Sequence, residues 1–284
     1  MHWRLRLTFL LCSWLALVLL PVPAAAAEPP PYRLGIMPFN SAMTLIRTHQ
    51  PLAAHLEREL GRKVNIFTAS DYFAFINQLL AGDFDLAIAG PHFGAMAQER
   101  GQHALLLRYR TPLQPVFVVR TQSPIRHLED LRGRSLALSS RLSISSIGGV
   151  KWLQDRQFVL GRDYQLTEYS SHGAAVAAVA IGEQDVAVTT HTPLRQIPED
   201  IRARVRVLPL DIQMPHLMTL AHHRLGSAEI ARVRQALQHF EQTPAGERFF
   251  RDTGYQGYAE ITAADLRQLQ PFVDLTVQMM RLPR

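Results

Sequence analysis

Cysteine is all but absent: Cys12 is the only one in 284 residues, and it lies inside an apolar run near the first methionine. A chain that loses that run has no thiol, which excludes disulfide frameworks and thiolate chemistry. Lysine is almost as scarce, with Lys63 and Lys151 the only two. The basic residues are therefore nearly all arginine, mixed with acids as in Glu57-Arg58-Glu59 and Asp155-Arg156. No basic run interleaves with aromatics, so solvated helix faces are expected and a nucleic-acid partner is not. Enzyme signatures are missing too: there is no G-x-S-x-G elbow, no H-E-x-x-H, no phosphate loop ending in G-K-[ST] and no G-x-G-x-x-G. The 12 histidines are scattered, and the adjacent pair His222-His223 would point to opposite faces of a strand. Neither a metal site nor a cofactor is expected. Ser143, Ser145 and His172 have no third group placed by spacing to orient a base, so no catalytic residue is assigned.

What is present begins with an export address. Met1-His-Trp-Arg-Leu-Arg6 precedes an apolar run from Leu7 to Leu20, a Pro21-Val-Pro23 break and the small residues Ala24 to Ala27. A cationic start, a hydrophobic core and an A-x-A site read as a signal peptide over residues 1–26. At about 14 residues the run is shorter than the roughly 20 that span a bilayer. The expected location is the periplasm. Removing Arg4 and Arg6 leaves 28 basic against 24 acidic residues, a net of +4, and about 257 residues suffice for two lobes of ordinary size.

Short apolar runs alternate with helical patterns throughout, which argues for an α/β architecture with largely parallel sheets. Strands are expected over 32–37, 64–68, 85–90, 105–109 and 116–120, the last two completing a first set. A helix over 43–60 has its main part beginning at Pro51, and Asp71 caps another over 71–81. The pattern restarts at Ser123 with strands over 135–139, 164–168, 185–189 and 205–208. A strand over 217–221 and three helices close the chain. Strand-like segments near 114–122 and 208–220 join the halves without a flexible linker, predicting two hinged lobes: 27–118 with 216–284, and 119–215.

The strongest local feature is Leu142-Ser-Ile-Ser-Ser-Ile-Gly-Gly149, between a strand and a helix. Hydroxyls and free N–H groups at a helix start form an anion site; a serine N-cap with polar neighbours explains the same residues. Gly90-Pro91-His92-Phe93 and Asp71-Tyr72 also open helices after strands, where ligands of open α/β sheets bind, although turn chemistry accounts for Gly-Pro. His172, in Ser170-Ser-His-Gly173, is either an oxyanion donor or a surface helix-start residue. His191 ends a strand in the same manner.

In this order and spacing the segments resemble a known family, the PhnD-like substrate-binding proteins of phosphonate, phosphite and phosphate ABC transporters. The resemblance rests on Leu34-Gly-Ile-Met-Pro38, on Pro51-Leu-Ala-Ala-His-Leu56 with Gly61-Arg-Lys-Val64, and on Asp71-Tyr72. It continues through Gly82-Asp-Phe-Asp-Leu-Ala87 with Gly90-Pro91, Asp130-Leu-Arg-Gly133, the serine loop, Ser171-His172 and Gly182-Glu-Gln-Asp-Val-Ala187. It implies a two-lobed type II periplasmic binding fold with a hinge of two crossing segments. It further implies a monomer that captures a small phosphorus oxyanion for a membrane permease and carries out no reaction. A sensor module reporting to a membrane kinase, or a binder of a sulfonate, are the alternatives.

Carried over by position, the resemblance makes Tyr72, Ser143, Ser145 and His172 ligand donors, with Pro91, His92, Phe93, Ser146 and His191 around them. Ile144 stands where the family has threonine, so only its N–H is left to donate, and Phe93 cannot donate at all. The Thr189-Thr-His-Thr192 stretch lacks the carboxylate that would hold an amine. The ligand expected is an amine-free anion such as phosphite or methylphosphonate.

Overall fold

The computed structural model describes residues 29–281; the segment read as a signal peptide lies outside them. Strand β1 (Tyr32–Ile36) leads to helix α1 (Ala42–Leu60), β2 (Val64–Phe67), α2 (Tyr72–Ala81), β3 (Leu86–Ala89), α3 (Pro91–Glu99) and β4 (His103–Tyr109). Then follow β5 (Pro115–Arg120), β6 (Arg134–Leu138), α4 (Ile144–Asp155), β7 (Tyr164–Glu168), α5 (His172–Ile181) and β8 (Val186–Thr190). Two short helices, α6 (His191–Gln196) and α7 (Glu199–Arg202), precede β9 (Val205–Pro209) and β10 (Met218–His222). The chain closes with α8 (Ser227–Glu241), α9 (Pro244–Thr253), β11 (Tyr258–Ala259) and α10 (Ala263–Met280).

Helix starts and stops follow their capping residues. The Asp71 and Ser171 side chains accept the N–H groups of Ala74 and Ala174, at 2.7 and 3.2 Å, and fix the first turns of α2 and α5. Gly82 and Gly182 end both helices with φ of 79° and 85°, a left-handed conformation that costs glycine least. One expected boundary is wrong. Helix α1 begins at Ala42, where Ser41 caps it by accepting the Thr44 N–H, and Pro51 lies inside it. Proline removes one hydrogen bond there, and its exposed position gives the ring room. Leu45, Leu52, Leu56 and Leu60 form the buried stripe that the periodicity predicts.

Two sheets organise these elements. The first has the order β11-β4-β10-β3-β1-β2 and the second β7-β6-β8-β5-β9. The expectation of largely parallel sheets needs correction. Among the described strands only β1–β2, β1–β3, β6–β7 and β6–β8 pair in parallel. Strand β10 runs antiparallel to both of its neighbours, as does β5, and β11 pairs antiparallel with β4. Parallel pairing persists where a helix makes the return, whereas β5 and β10 enter their sheets directly from the other one. Strand β5, expected in the first set, therefore lies wholly in the second sheet, and the chain changes sheets in the segments 110–114 and 210–217. There Leu113 and Met214 donate to each other's carbonyls at 2.8 and 2.9 Å.

The apolar core around the first sheet takes in Leu142, Ile144 and Ile147 from the start of α4. The two halves are thus packed against each other. Backbone and side-chain hydrogen bonds tie the same faces: His172 N–H to Phe39 O at 3.2 Å, and Asn40 Nδ2 to Gln196 Oε1 at 2.8 Å.

Candidate ligand-binding site

A small, partly open cavity of about 30 Å³ lies where the two halves meet, roughly the room of two ordered waters. Tyr72, the first residue of α2, enters it from the first sheet's side. Ser143, Ile144 and Ser145 enter at the start of α4, His172 at the start of α5, and Thr190, Thr192 and Pro193 at the start of α6. All four helices begin just past the carboxyl end of a strand, so their positive dipole ends and first-turn N–H groups gather on one small volume. Met37, Phe39, Leu113, His216, Leu217 and Tyr255 complete the wall.

Hydroxyl and imidazole groups link the two halves at this point. Tyr72 Oη lies 3.4 Å from His172 Nε2, which Ser139 Oγ approaches to 3.3 Å. The Ser143 and Ser145 hydroxyls hydrogen-bond to each other at 2.8 Å. Ser143 is the N-cap residue of α4, yet its side chain makes no capping bond. The first-turn N–H groups of that helix, which have no acceptor within the helix, are left without the usual serine partner.

Among the described residues, no lysine, arginine, aspartate or glutamate lines the cavity. Burial lowers the His172 imidazole to about 4, and lowers His216 to about 3 with help from the nearby Arg108. Burial also raises the Tyr72 hydroxyl to about 12. At neutral pH the wall is therefore uncharged, and what it offers an anion is oriented dipoles. The choice left open for His172 is resolved as a buried, neutral ring at the helix start.

Of the residues singled out from the sequence, Tyr72, Ser143, Ile144, Ser145 and His172 line the cavity, while Pro91, His92, Phe93, Ser146 and His191 stand outside its wall. Pro91 is the first residue of α3 and is buried. Phe93 is buried behind Tyr72, ring centroids 6.4 Å apart, and packs on His92 at 4.2 Å. His92 donates from Nε2 to the Leu142 carbonyl at 2.9 Å, which anchors the loop before α4 to the opposite half. A Cβ at Gly90 would stand 2.7 Å from the His92 ring, so glycine is needed there for close approach. Ser146 faces a separate groove with Arg141 and Met279, and His191 is exposed. Thr190 and Thr192 were missed although they flank His191: the strand-to-helix turn sends them inward and His191 out. His216 and Tyr255 come from a crossing segment and from the turn after α9, where no local pattern marks them.

Comparison with known proteins places this arrangement. Residues 34–266 match the family described as "ABC transporter, phosphonate, periplasmic substrate-binding protein". A stretch of 77 residues is 33% identical to the phosphate-import protein PhnD of Mycolicibacterium smegmatis, covering 27% of this chain and 24% of that protein. The chain thus matches about a quarter of that relative's length. A binding protein component of a phosphonate ABC transporter from Pseudomonas aeruginosa superposes with a TM-score of 0.77 at 17% identity, over 89% of this chain and 90% of that one. PhnD1 from Prochlorococcus marinus, solved in complex with methylphosphonate, gives a TM-score of 0.76 at 13% identity, over 90% and 100%. The two sheets, the double crossing and the cleft between them are the type II periplasmic binding fold, and the chain belongs to the family of periplasmic substrate-binding proteins of phosphonate ABC transporters.

Proposed function

We propose that this protein captures a small, amine-free phosphorus oxyanion, of the methylphosphonate or phosphite class, between its two lobes and presents it to an ABC permease. The observation that carries this reading is the uncharged cavity at the convergence of the α2, α4, α5 and α6 N-termini. A dehydrated anion there exchanges its water shell for hydroxyl, imidazole and backbone donors, and each such bond to a charged group is worth roughly 1.5–3 kcal/mol net. The absence of any carboxylate in the wall leaves an ammonium group without a partner, at a desolvation cost that disfavours aminoalkylphosphonates. Tyr72, Ser143, Ser145 and His172 act as donors from opposite lobes, so the ligand itself bridges the cleft. The expected boundary at residue 118 moves to the crossings: β1–β4 with β10, β11 and α8–α10 form one lobe and β5–β9 the other, the hinge running through Leu113 and Met214. The working protein is a periplasmic monomer, released after signal cleavage, that holds its ligand without transforming it.

The test is calorimetric titration of the mature protein with phosphite, methylphosphonate, phosphate, sulfate, methanesulfonate and 2-aminoethylphosphonate. Tight binding of the first two supports the proposal. Preference for 2-aminoethylphosphonate, or for methanesulfonate, would overturn the ligand class, since the sulfonate has the same shape with a different central atom. Co-purification with a histidine kinase in place of a permease would overturn the proposed partner.

A further inference from the structure

The histidines that look scattered along the sequence are not all scattered in space. His55 and Glu59 lie one turn apart on α1, and His239 reaches them from α8. Ligand-capable atoms of the three all lie within 4.8 Å of one another. A tetrahedral ion bound at about 2.1 Å needs its ligands about 3.4 Å apart, so closing the set requires adjustment of about an ångström. The two side chains that would move are free to do so: His239 and Glu59 are 55% and 36% exposed, and the His239 Nδ1 to Glu59 Oε1 distance is already 3.1 Å.

His55 is the fixed member. It is 2% exposed, and its Nε2 donates to the Ala236 carbonyl at 2.9 Å. That bond puts the ring proton on Nε2 and leaves the Nδ1 lone pair open; among the described residues nothing else bonds to it. A ligating histidine whose second nitrogen is held by a backbone carbonyl has its tautomer and orientation set in advance. The His55 ring also packs edge-on against His239, centroids 5.4 Å apart, and against Phe240 at 5.2 Å. Among the groups the ring senses, Arg58 and a protonated His239 are unfavourable to a cation, and the Glu59 carboxylate opposes them.

We infer that His55, Glu59 and His239 form a site for a borderline divalent transition metal, of the Zn2+ class, which clamps α1 to α8 on the outer layer of the first sheet. Two imidazoles and one carboxylate suit such an ion, and three protein ligands leave a fourth position for water. The site shares no residue with the oxyanion cavity, so it stands whether or not the ligand class above is right.

The experiment uses untagged mature protein stripped with chelator. Zn2+ is titrated calorimetrically, Co2+ is titrated by its visible absorption, and thermal unfolding is followed with and without Zn2+. Wild type should take up one equivalent, develop the intense bands of four-coordinate Co2+ and unfold at a higher temperature with metal, as ligand linkage requires. His239→Ala and Glu59→Gln, at partly exposed positions, should fold normally, bind at least about tenfold more weakly and lose the metal-dependent shift. No saturable uptake by folded wild type, or uptake unchanged in both variants, would overturn the assignment.

Discussion

Tyr72 and His172 meet across the cleft with Oη and Nε2 3.4 Å apart, each the first residue of its helix and each from a different sheet. The pair therefore reports closure and ligand capture together. In the proposed function Tyr72→Phe and His172→Phe keep the buried rings and delete one donor each. Anion affinity should fall about 10- to 100-fold per substitution, the equivalent of roughly 1.5–3 kcal/mol for a bond to a charged acceptor. Calorimetry with methylphosphonate, checked against unchanged thermal unfolding, measures this.

The serine start of α4 gives a second prediction. Ser143→Ala should cost affinity without loosening the helix, because the Ser143 side chain makes no capping bond. Its sign separates two roles: a conventional N-cap would lose about 1 kcal/mol of stability on the same change. Denaturant titration beside ligand titration distinguishes them.

Close approach at Gly90 predicts a packing failure. Alanine there would collide with the His92 ring at 2.7 Å and crowd Met37 Sδ at 3.3 Å, disturbing the His92 bond to Leu142 that holds the serine loop. Gly90→Ala should lose about 1–3 kcal/mol of stability and weaken anion binding as well, read by urea unfolding and titration.

Pro51 is the opposite case. It sits exposed inside α1, so Pro51→Ala supplies the missing amide and a better helix former at no packing cost. Stability should rise by up to about 3 kcal/mol, visible as a higher urea midpoint with an unchanged slope.

Acid should destabilise the fold through its buried imidazoles. Burial lowers His49, His92 and His172 from 6.5 to about 4 and His216 to about 3. Between pH 6.5 and 4 the unfolded chain therefore binds protons that the folded chain does not. Stability is fully present above pH 6.5 and falls as pH drops through that window, each ring contributing about 1.4 kcal/mol per pH unit. Urea unfolding at half-unit intervals gives the slope, and His49→Phe should remove one ring's share.

Much of this was legible in the chain because the local rules act locally. Asp71, Ser171, Gly82 and Gly182 announce the ends of α2 and α5, and a helix start after a strand is where α/β proteins bind ligands, which made Tyr72, Ser143, Ser145 and His172 candidates, while their role as donors came only with the family resemblance. Partnering was not legible. Val116 to Val119 reads as a strand in any sheet, and nothing in its pattern says that it leaves the first sheet for the second. Thr190, Thr192, His216 and Tyr255 reach the cavity only because two distant crossings fold back on each other, and His55 meets His239 only because α8 packs on α1. Those facts belong to long-range topology.

The neutrality of the empty cavity wall bears on what would travel with a captured anion. If no side chain of the wall changes its ionisation on binding, any proton taken up or released would come from the ligand's own acid groups, and the loaded protein would differ from the empty one by the charge of the bound species alone. At a pH where the ligand is a single ionic species in solution, its capture would then show no dependence on buffer ionisation enthalpy.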